Sequence, residues 1–310
     1  MRSLSRRSFL AVGGGLVLAA CAKSTDGADQ PFSGSEGGSG GRRGAGDRAD
    51  GADQAYSGSE ELTAGVVSID PYQSTEPQRL GFVVLRNNGD FAAGPATTVA
   101  LKAPGEARFA TPVTADLHQE GLADRRGVYV IEAALAAAGV WYARLTIEDK
   151  RVEVAFQVAP TSEVVIPGQP APRAPSPTFT ETLGVDPICT QVPPCPLHTI
   201  SLADAIGNGK PVAVMFATPA RCQTEYCGPV LTQLLDVMGP YEDEIQLVHV
   251  EIYQNGTTDE VVSTIGFEPG AWSLPGEPWL FGIDGAGAVV SRLDGAFGSD
   301  EVTGLLDRLR

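Results

Sequence analysis

Pro211-Val212-Ala213-Val214-Met215-Phe216-Ala217-Thr218 is an unbroken apolar run of strand length, and Pro219-Ala220-Arg221-Cys222-Gln223-Thr224-Glu225-Tyr226-Cys227-Gly228-Pro229 follows it. Beyond these residues Val230, Leu231, Leu234, Leu235 and Met238 recur at helical spacing. The pattern predicts a buried strand, a loop carrying two cysteines, and a helix with one apolar face. After Gly239-Pro240 a second buried strand is expected over Ile245 to Tyr253, and a short helix near Asp259 to Ile265. Trp279-Leu280-Phe281-Gly282-Ile283 and Ala288-Val289-Val290-Ser291-Arg292-Leu293 flank Asp284-Gly285-Ala286-Gly287, a hairpin turn signal. A last helix is expected to start at Ser299, its hydroxyl capping the helix and Asp300 and Glu301 in the first turn. The order β-α-β-α-β-β-α makes 181–310 an α/β unit.

Over about 182–310 the chain resembles the thioredoxin-like superfamily. The resemblance rests on a cysteine site between an apolar strand and a helix, on Tyr226-Cys227-Gly228-Pro229, and on Glu277-Pro278-Trp279 entering the penultimate strand. It implies thiol–disulfide exchange at Cys222 and Cys227, with Pro278 as a cis-proline facing the sulfurs. The motif departs from the usual Cys-x-x-Cys: four residues separate Cys222 from Cys227, and Val230 stands where a resolving cysteine would follow Cys227-Gly228-Pro229. A thiolate at a helix N-terminus is stabilised by free backbone N–H groups, so the nucleophile depends on where the helix starts. A start near Thr224 favours Cys222 and a start at Cys227 favours Cys227. Arg221 would favour the thiolate and Glu225 would oppose it.

The chain has five cysteines. With Cys21 set aside for lipid, as argued below, Cys189, Cys195, Cys222 and Cys227 remain, and an even number in an exported chain implies disulfides. The local pairs Cys222–Cys227 and Cys189–Cys195 need the least loop closure, and a crossed pairing is the alternative. Cys189 and Cys195 are expected to be a structural disulfide, because Pro193 and Pro194 fix their loop and no helix follows at once. Two other functional classes stand beside exchange. One is a non-catalytic binding or scaffold lipoprotein held by two structural disulfides. The other is copper delivery in the manner of the Sco family, which pairs two cysteines with a later histidine; His198 and His249 are available, although the cysteine spacing departs from that family and His249 reads as a core residue of an apolar strand. Pro219 occupies the place where a peroxiredoxin would need Thr or Ser. Zinc would need four well-placed ligands. No cofactor and no metal ligand are assigned.

Upstream, 61–160 is expected to be an all-β, immunoglobulin-like sandwich. Leu80 to Leu85, Thr97 to Leu101, Gly127 to Glu132, Val140 to Ile147 and Val152 to Val158 are β-branched and aromatic runs separated by turn residues. Gly127-Val128-Tyr129 and Ala138-Gly139-Val140-Trp141-Tyr142 resemble the closing strands of such domains. Trp141 reads as a core anchor, His118 as a solvated loop residue, and no chemistry is apparent. Six prolines between 160 and 177 predict a stiff, extended linker over 161–180.

The first 60 residues read as targeting and tether. Ser5-Arg6-Arg7-Ser8-Phe9-Leu10 ahead of a weakly apolar, Gly-rich run resembles a twin-arginine export signal, and Leu18-Ala19-Ala20-Cys21 resembles a lipobox. The resemblance implies that residues 1–21 export the chain and that Cys21 anchors it by lipid to the outer face of the cytoplasmic membrane. Over 22–60 Gly, Ser, Asp and Ala dominate, and a segment beginning Asp26-Gly27-Ala28-Asp29-Gln30 recurs at Asp50-Gly51-Ala52-Asp53-Gln54, which predicts a disordered linker. With 38 acidic and 22 basic residues, the net charge of −16 excludes a basic nucleic-acid footprint. The acidic bias is concentrated in 181–310, with 18 acidic and 5 basic residues, so protein thiol or disulfide partners docking there should be neutral or basic.

Overall fold

The structure is a computed structural model that describes residues 62–94, 97–122, 126–222, 226–254, 258 and 260–310. Arg6, Arg7, Cys21, Glu225 and the 22–60 segment lie outside the described residues. Among the described residues no helix is long and apolar enough to cross a membrane.

The β-branched runs of the N-terminal half become strands because alternate side chains can be buried on one face. One antiparallel sheet contains β1 (Leu62–Val66), β2 (Ser74–Arg86), β6 (Val128–Leu135) and β5 (Asp116–His118), in the order β1-β2-β6-β5. A second contains β4 (Val113–Thr114), β3 (Thr98–Lys102), β7 (Gly139–Ile147) and β8 (Lys150–Val158), in the order β4-β3-β7-β8. Leu80, Phe82 and Val84 of β2 and Tyr129 and Ile131 of β6 meet Trp141, Ala143 and Leu145 of β7 in a single core. Trp141 is a core residue, its indole N–H donating to the Ala137 carbonyl at 2.8 Å. The β7–β8 hairpin turns on Glu148 and Asp149, at φ of 49° and 64°, the left-handed pair that suits a two-residue turn between twisted strands.

The C-terminal half builds a third, mixed sheet from β10 (Gln246–Val250), β9 (Val212–Phe216), β11 (Trp279–Ile283) and β12 (Val289–Asp294), in the order β10-β9-β11-β12. β9 and β10 are parallel, and β11 runs antiparallel to β9 and β12. Every residue of β9 is buried, so its two faces feed two cores. Val212, Val214 and Phe216 pack with Trp272, Trp279 and Phe281 on one face. Ala213 and Met215 pack on the other with Val230, Leu231 and Leu234 of α2 (Cys227–Val237) and Val302 and Leu305 of α3 (Ser299–Asp307). A four-residue helix, α1 (Leu202–Ala205), precedes β9, and the helix expected near 259–265 is one 3-10 turn, Ser263–Ile265.

The 161–180 segment is extended but does not hang free. Gly168 and Ala171 N–H groups donate to Val289 and Gly287 carbonyls at 2.8 and 2.9 Å, and Val164 and Ala171 are buried in the core of the mixed sheet. The prolines remove backbone donors, and Gly168 and Ala171 between them donate to the first residue of β12 and to the turn before it. His118 is not a solvated loop residue: it ends β5, and its Nδ1 lies 2.6 Å from Asp300 of α3. Nor does Ser299 cap α3. Gly298 is the capping residue, its N–H donating to Glu301 at 3.1 Å, while the Ser299 hydroxyl donates to the Glu120 carbonyl at 3.2 Å.

These contacts belong to a polar seam between β2 and the end of the mixed sheet. Arg79 of β2 donates to Glu301 at 2.7 and 3.0 Å and to the Ala296 carbonyl at 2.7 Å, and its guanidinium lies 3.7 Å from Asp294. Arg292 of β12 pairs with Asp70 at 3.1 Å, and the Ile69 N–H donates to Asp294. At Gly295, with φ of 66°, a Cβ would stand 1.8 Å from the Val67 carbonyl oxygen, so only glycine permits this approach.

Candidate active site

β9 ends at Phe216, the chain turns through Thr218 and Arg221, whose N–H donates to the Thr218 carbonyl at 3.0 Å, and α2 begins at Cys227. Cys222 and Cys227 are joined by a disulfide, with Cα atoms 5.8 Å apart. The two sulfurs are unequal. Cys227 is fully buried among Met215, Val230 and Leu231, and Cys222 is half-buried at the rim of the same cluster. A helix starting at Cys227 would, by position alone, favour Cys227 as the nucleophile. Its N–H, however, donates to Cys222 Sγ at 3.3 Å, so the field of the helix terminus falls on the accessible sulfur.

Across the disulfide, the Glu277–Pro278 bond is cis, as the sequence reading expects, and β11 starts at the next residue. Pro278 brings with it a group that the sequence reading left without a role. The Glu277 carboxyl lies within 4.8 Å of both sulfurs and is 8% exposed. Burial pushes its pKa up to about 8; Thr218 opposes the shift and the buried Glu251 adds to it. Tyr253, also raised by burial, feels the same carboxyl. The folded chain therefore favours the protonated acid. Its contribution to stability is complete below about pH 4.5 and is lost as pH rises through about 8. An acid directly ahead of a proline that opens a wholly buried strand is the sequence signal that points to it.

Cys189 and Cys195 do not form the expected structural disulfide. They are two buried thiols with sulfurs 3.7 Å apart. The loop folds so that the Cys195 N–H donates to Cys189 Sγ at 3.3 Å, and the His249 N–H donates to the Leu197 carbonyl at 2.8 Å. Both histidines then reach the sulfurs: Cys195 Sγ lies 3.4 Å from His198 Nε2 and 3.3 Å from His249 Nδ1. A shared hydrogen bond from Cys195, with help from the two imidazoles, lowers the Cys189 pKa, and the Cys195 thiol is raised in return. His198, read from sequence as available to a copper site, and His249, read as a core residue, are fully buried partners of this pair.

A cleft of about 320 Å³ lies elsewhere, lined by Arg79, His118, Glu132, Arg292, Asp300 and Glu301. Most of its charges are spent on the seam ion pairs, and it holds no sulfur.

No protein-family model matches the chain, and no curated protein matches it in sequence. Among solved structures, one likeness is to a putative thiol:disulfide interchange protein DsbE from Chlorobium tepidum, at 19% identity over 46% of this chain and 99% of that one, with a TM-score of 0.30. Others are to the Lin-41 filamin domain, at 7% identity over 32% of this chain and 93% of that one with a TM-score of 0.23, and to the superoxide reductase (neelaredoxin) from Ignicoccus hospitalis, at 14% identity over 35% and 89% with a TM-score of 0.22. Overlaps this partial establish no kinship.

Proposed function

We propose that the chain is a thiol–disulfide oxidoreductase acting through Cys222 and Cys227, its 181–310 part a thioredoxin-like unit and its 61–160 part an immunoglobulin-like one. The observation that carries the reading is a disulfide with one reachable and one buried sulfur, set against a buried carboxyl within 4.8 Å of both. The strand and helix order around β9, α2, β10, β11, β12 and α3 supports the fold assignment. The order and spacing of Arg6-Arg7 and Leu18 to Cys21 support export and lipid anchoring at Cys21, which would place the site outside the cytoplasmic membrane.

The chemistry follows from the two sulfurs. In the reduced chain the Cys222 thiolate attacks one sulfur of a partner disulfide; a new S–S bond forms, the partner's bond breaks, and its second sulfur leaves as thiolate. The Cys227 thiol gives its proton to the Glu277 carboxylate and attacks Cys222 Sγ. The Cys222–Cys227 bond forms and the partner's first sulfur departs with both of its electrons, to be protonated from solvent. Two electrons pass from the chain to the partner. Run backwards, the protonated Glu277 hands its proton to Cys227 as that sulfur leaves. A carboxyl near pKa 8 is suited to both directions near neutral pH.

The test is exchange of the full chain with reduced and oxidised glutathione as a function of pH, in wild type and Glu277→Gln. Wild type should show a pH dependence centred near 8 in the Cys227 step. The Gln variant should lose that inflection and slow by about 100-fold. It should also lose the fall in unfolding free energy between about pH 4.5 and 8. Wild-type exchange no faster than that of an unstructured dithiol would remove the proposal.

A further inference from the structure

Cys189, Cys195, His198 and His249 meet although they come from a seven-residue loop, the turn after it and the middle of β10. Their ligand atoms all lie within 4.8 Å of one another. A tetrahedral ion with bonds of about 2.3 Å to sulfur and 2.0–2.1 Å to nitrogen demands edges of about 3.8 Å between sulfurs, 3.5 Å between sulfur and nitrogen, and 3.3 Å between nitrogens. The structure has 3.7 Å between the sulfurs, 3.1 Å between His198 Nε2 and His249 Nδ1, and 3.3, 3.4 and 3.8 Å on three mixed edges. Five edges thus fall within about 0.3 Å of a tetrahedron.

The surroundings suit ligation. His249 Nε2 lies 2.9 Å from the Ala217 carbonyl, which fixes the proton there and leaves the Nδ1 lone pair facing the sulfurs. The Cys195 N–H already donates to Cys189 Sγ, the kind of bond that stabilises a thiolate ligand. His198 is held by an edge contact with Phe179, ring centroids 5.4 Å apart, while its Nδ1 is buried with no hydrogen-bond partner among the described residues. Thr190, next to Cys189, binds Glu251 through its N–H and hydroxyl at 2.5 and 2.8 Å, so the loop is pinned from the other side as well.

We propose that these four residues form a closed, tetrahedral S2N2 site for Zn2+, clipping the 187–198 loop to β10 behind the exchange site. Two thiolates and two imidazoles are a borderline-soft set that suits this ion and leaves no position open for substrate. Binding would release the thiol protons to solvent and protect the pair from oxidation. The assignment does not depend on the chemistry of Cys222 and Cys227.

The experiment is a titration of the reduced full chain with Zn2+ against a chromophoric chelator, with Co2+ as spectroscopic reporter. One Zn2+ per chain is expected, with a tetrahedral, thiolate-ligated Co2+ spectrum that Zn2+ displaces. Binding should survive the Cys222→Ser/Cys227→Ser double change and weaken by about 100-fold or more in His249→Ala, since even losing the groups behind a ligand costs 10–100-fold. The wild-type titration needs no variant to fold. No binding by the reduced chain, binding of Cu+ in preference to Zn2+, or binding lost only with Cys222 and Cys227 would each overturn the proposal.

Discussion

If the chain exchanges disulfides as proposed, Cys222→Ser is expected to lower the rate with a disulfide substrate by at least about 1,000-fold, equivalent to about 4 kcal/mol of barrier, because a serine hydroxyl cannot replace the accessible thiolate. Cys227→Ser behaves differently. Its Cys222 still attacks, but no buried thiol remains to release the product, so a mixed disulfide with the substrate accumulates and is visible by mass spectrometry. The asymmetry comes from burial: Cys227 is sealed beneath Val230 and Leu231, and Cys222 stands half-open at the rim. Accumulation in Cys222→Ser instead would reassign the nucleophile to Cys227, and with it the meaning of the 3.3 Å bond from the helix terminus.

Arg79→Leu is expected to destabilise the chain by about 3–5 kcal/mol, read as the unfolding free energy from urea titration. The guanidinium is buried and holds Glu301 at 2.7 Å with Asp294 nearby, so its removal strands two carboxylates at the seam. Adding Glu301→Leu to the same chain should recover a large part of the loss, because replacing both members of a buried pair costs far less than removing one. A loss below about 1 kcal/mol in the single variant would mean that water already reaches the seam.

The strands were legible because their signals are local. Val212 to Phe216 is apolar throughout and is buried on both faces, and Asp284 to Gly287 makes the turn its composition announces, with Gly287 at φ of 93°. What the sequence hid depends on distant pieces of chain meeting. Ser299 looks like a helix cap until Glu120, 179 residues earlier, takes its hydroxyl. His118 looks solvated until α3 brings Asp300 beside it. The extended segment over 161–180 looks like a spacer until Gly168 and Ala171 find the Val289 and Gly287 carbonyls.

The same reasoning explains the two halves of the cysteine chemistry. Cys222 and Cys227 could be picked out because strand, loop and helix lie consecutively in the chain. Glu277 leaves only a weaker local signal, an acid ahead of a strand-opening proline, because its approach to the sulfurs depends on β11 pairing beside β9. Cys189, Cys195 and His198 are close in sequence and hint at a local site. The fourth group, His249, sits in an apolar strand where a buried imidazole reads as packing, and only the parallel pairing of β10 with β9 turns it toward the loop.

The most direct test is the reduction potential of the Cys222–Cys227 disulfide in the full chain, measured by equilibration in graded glutathione buffers, alkylation, and mass assignment of each cysteine. The expected potential lies between about −120 and −270 mV, the range of known exchange proteins, with Cys189 and Cys195 titrating separately. A Cys222–Cys227 bond that stays oxidised below about −300 mV would be a structural staple, and the exchange function proposed here would be wrong.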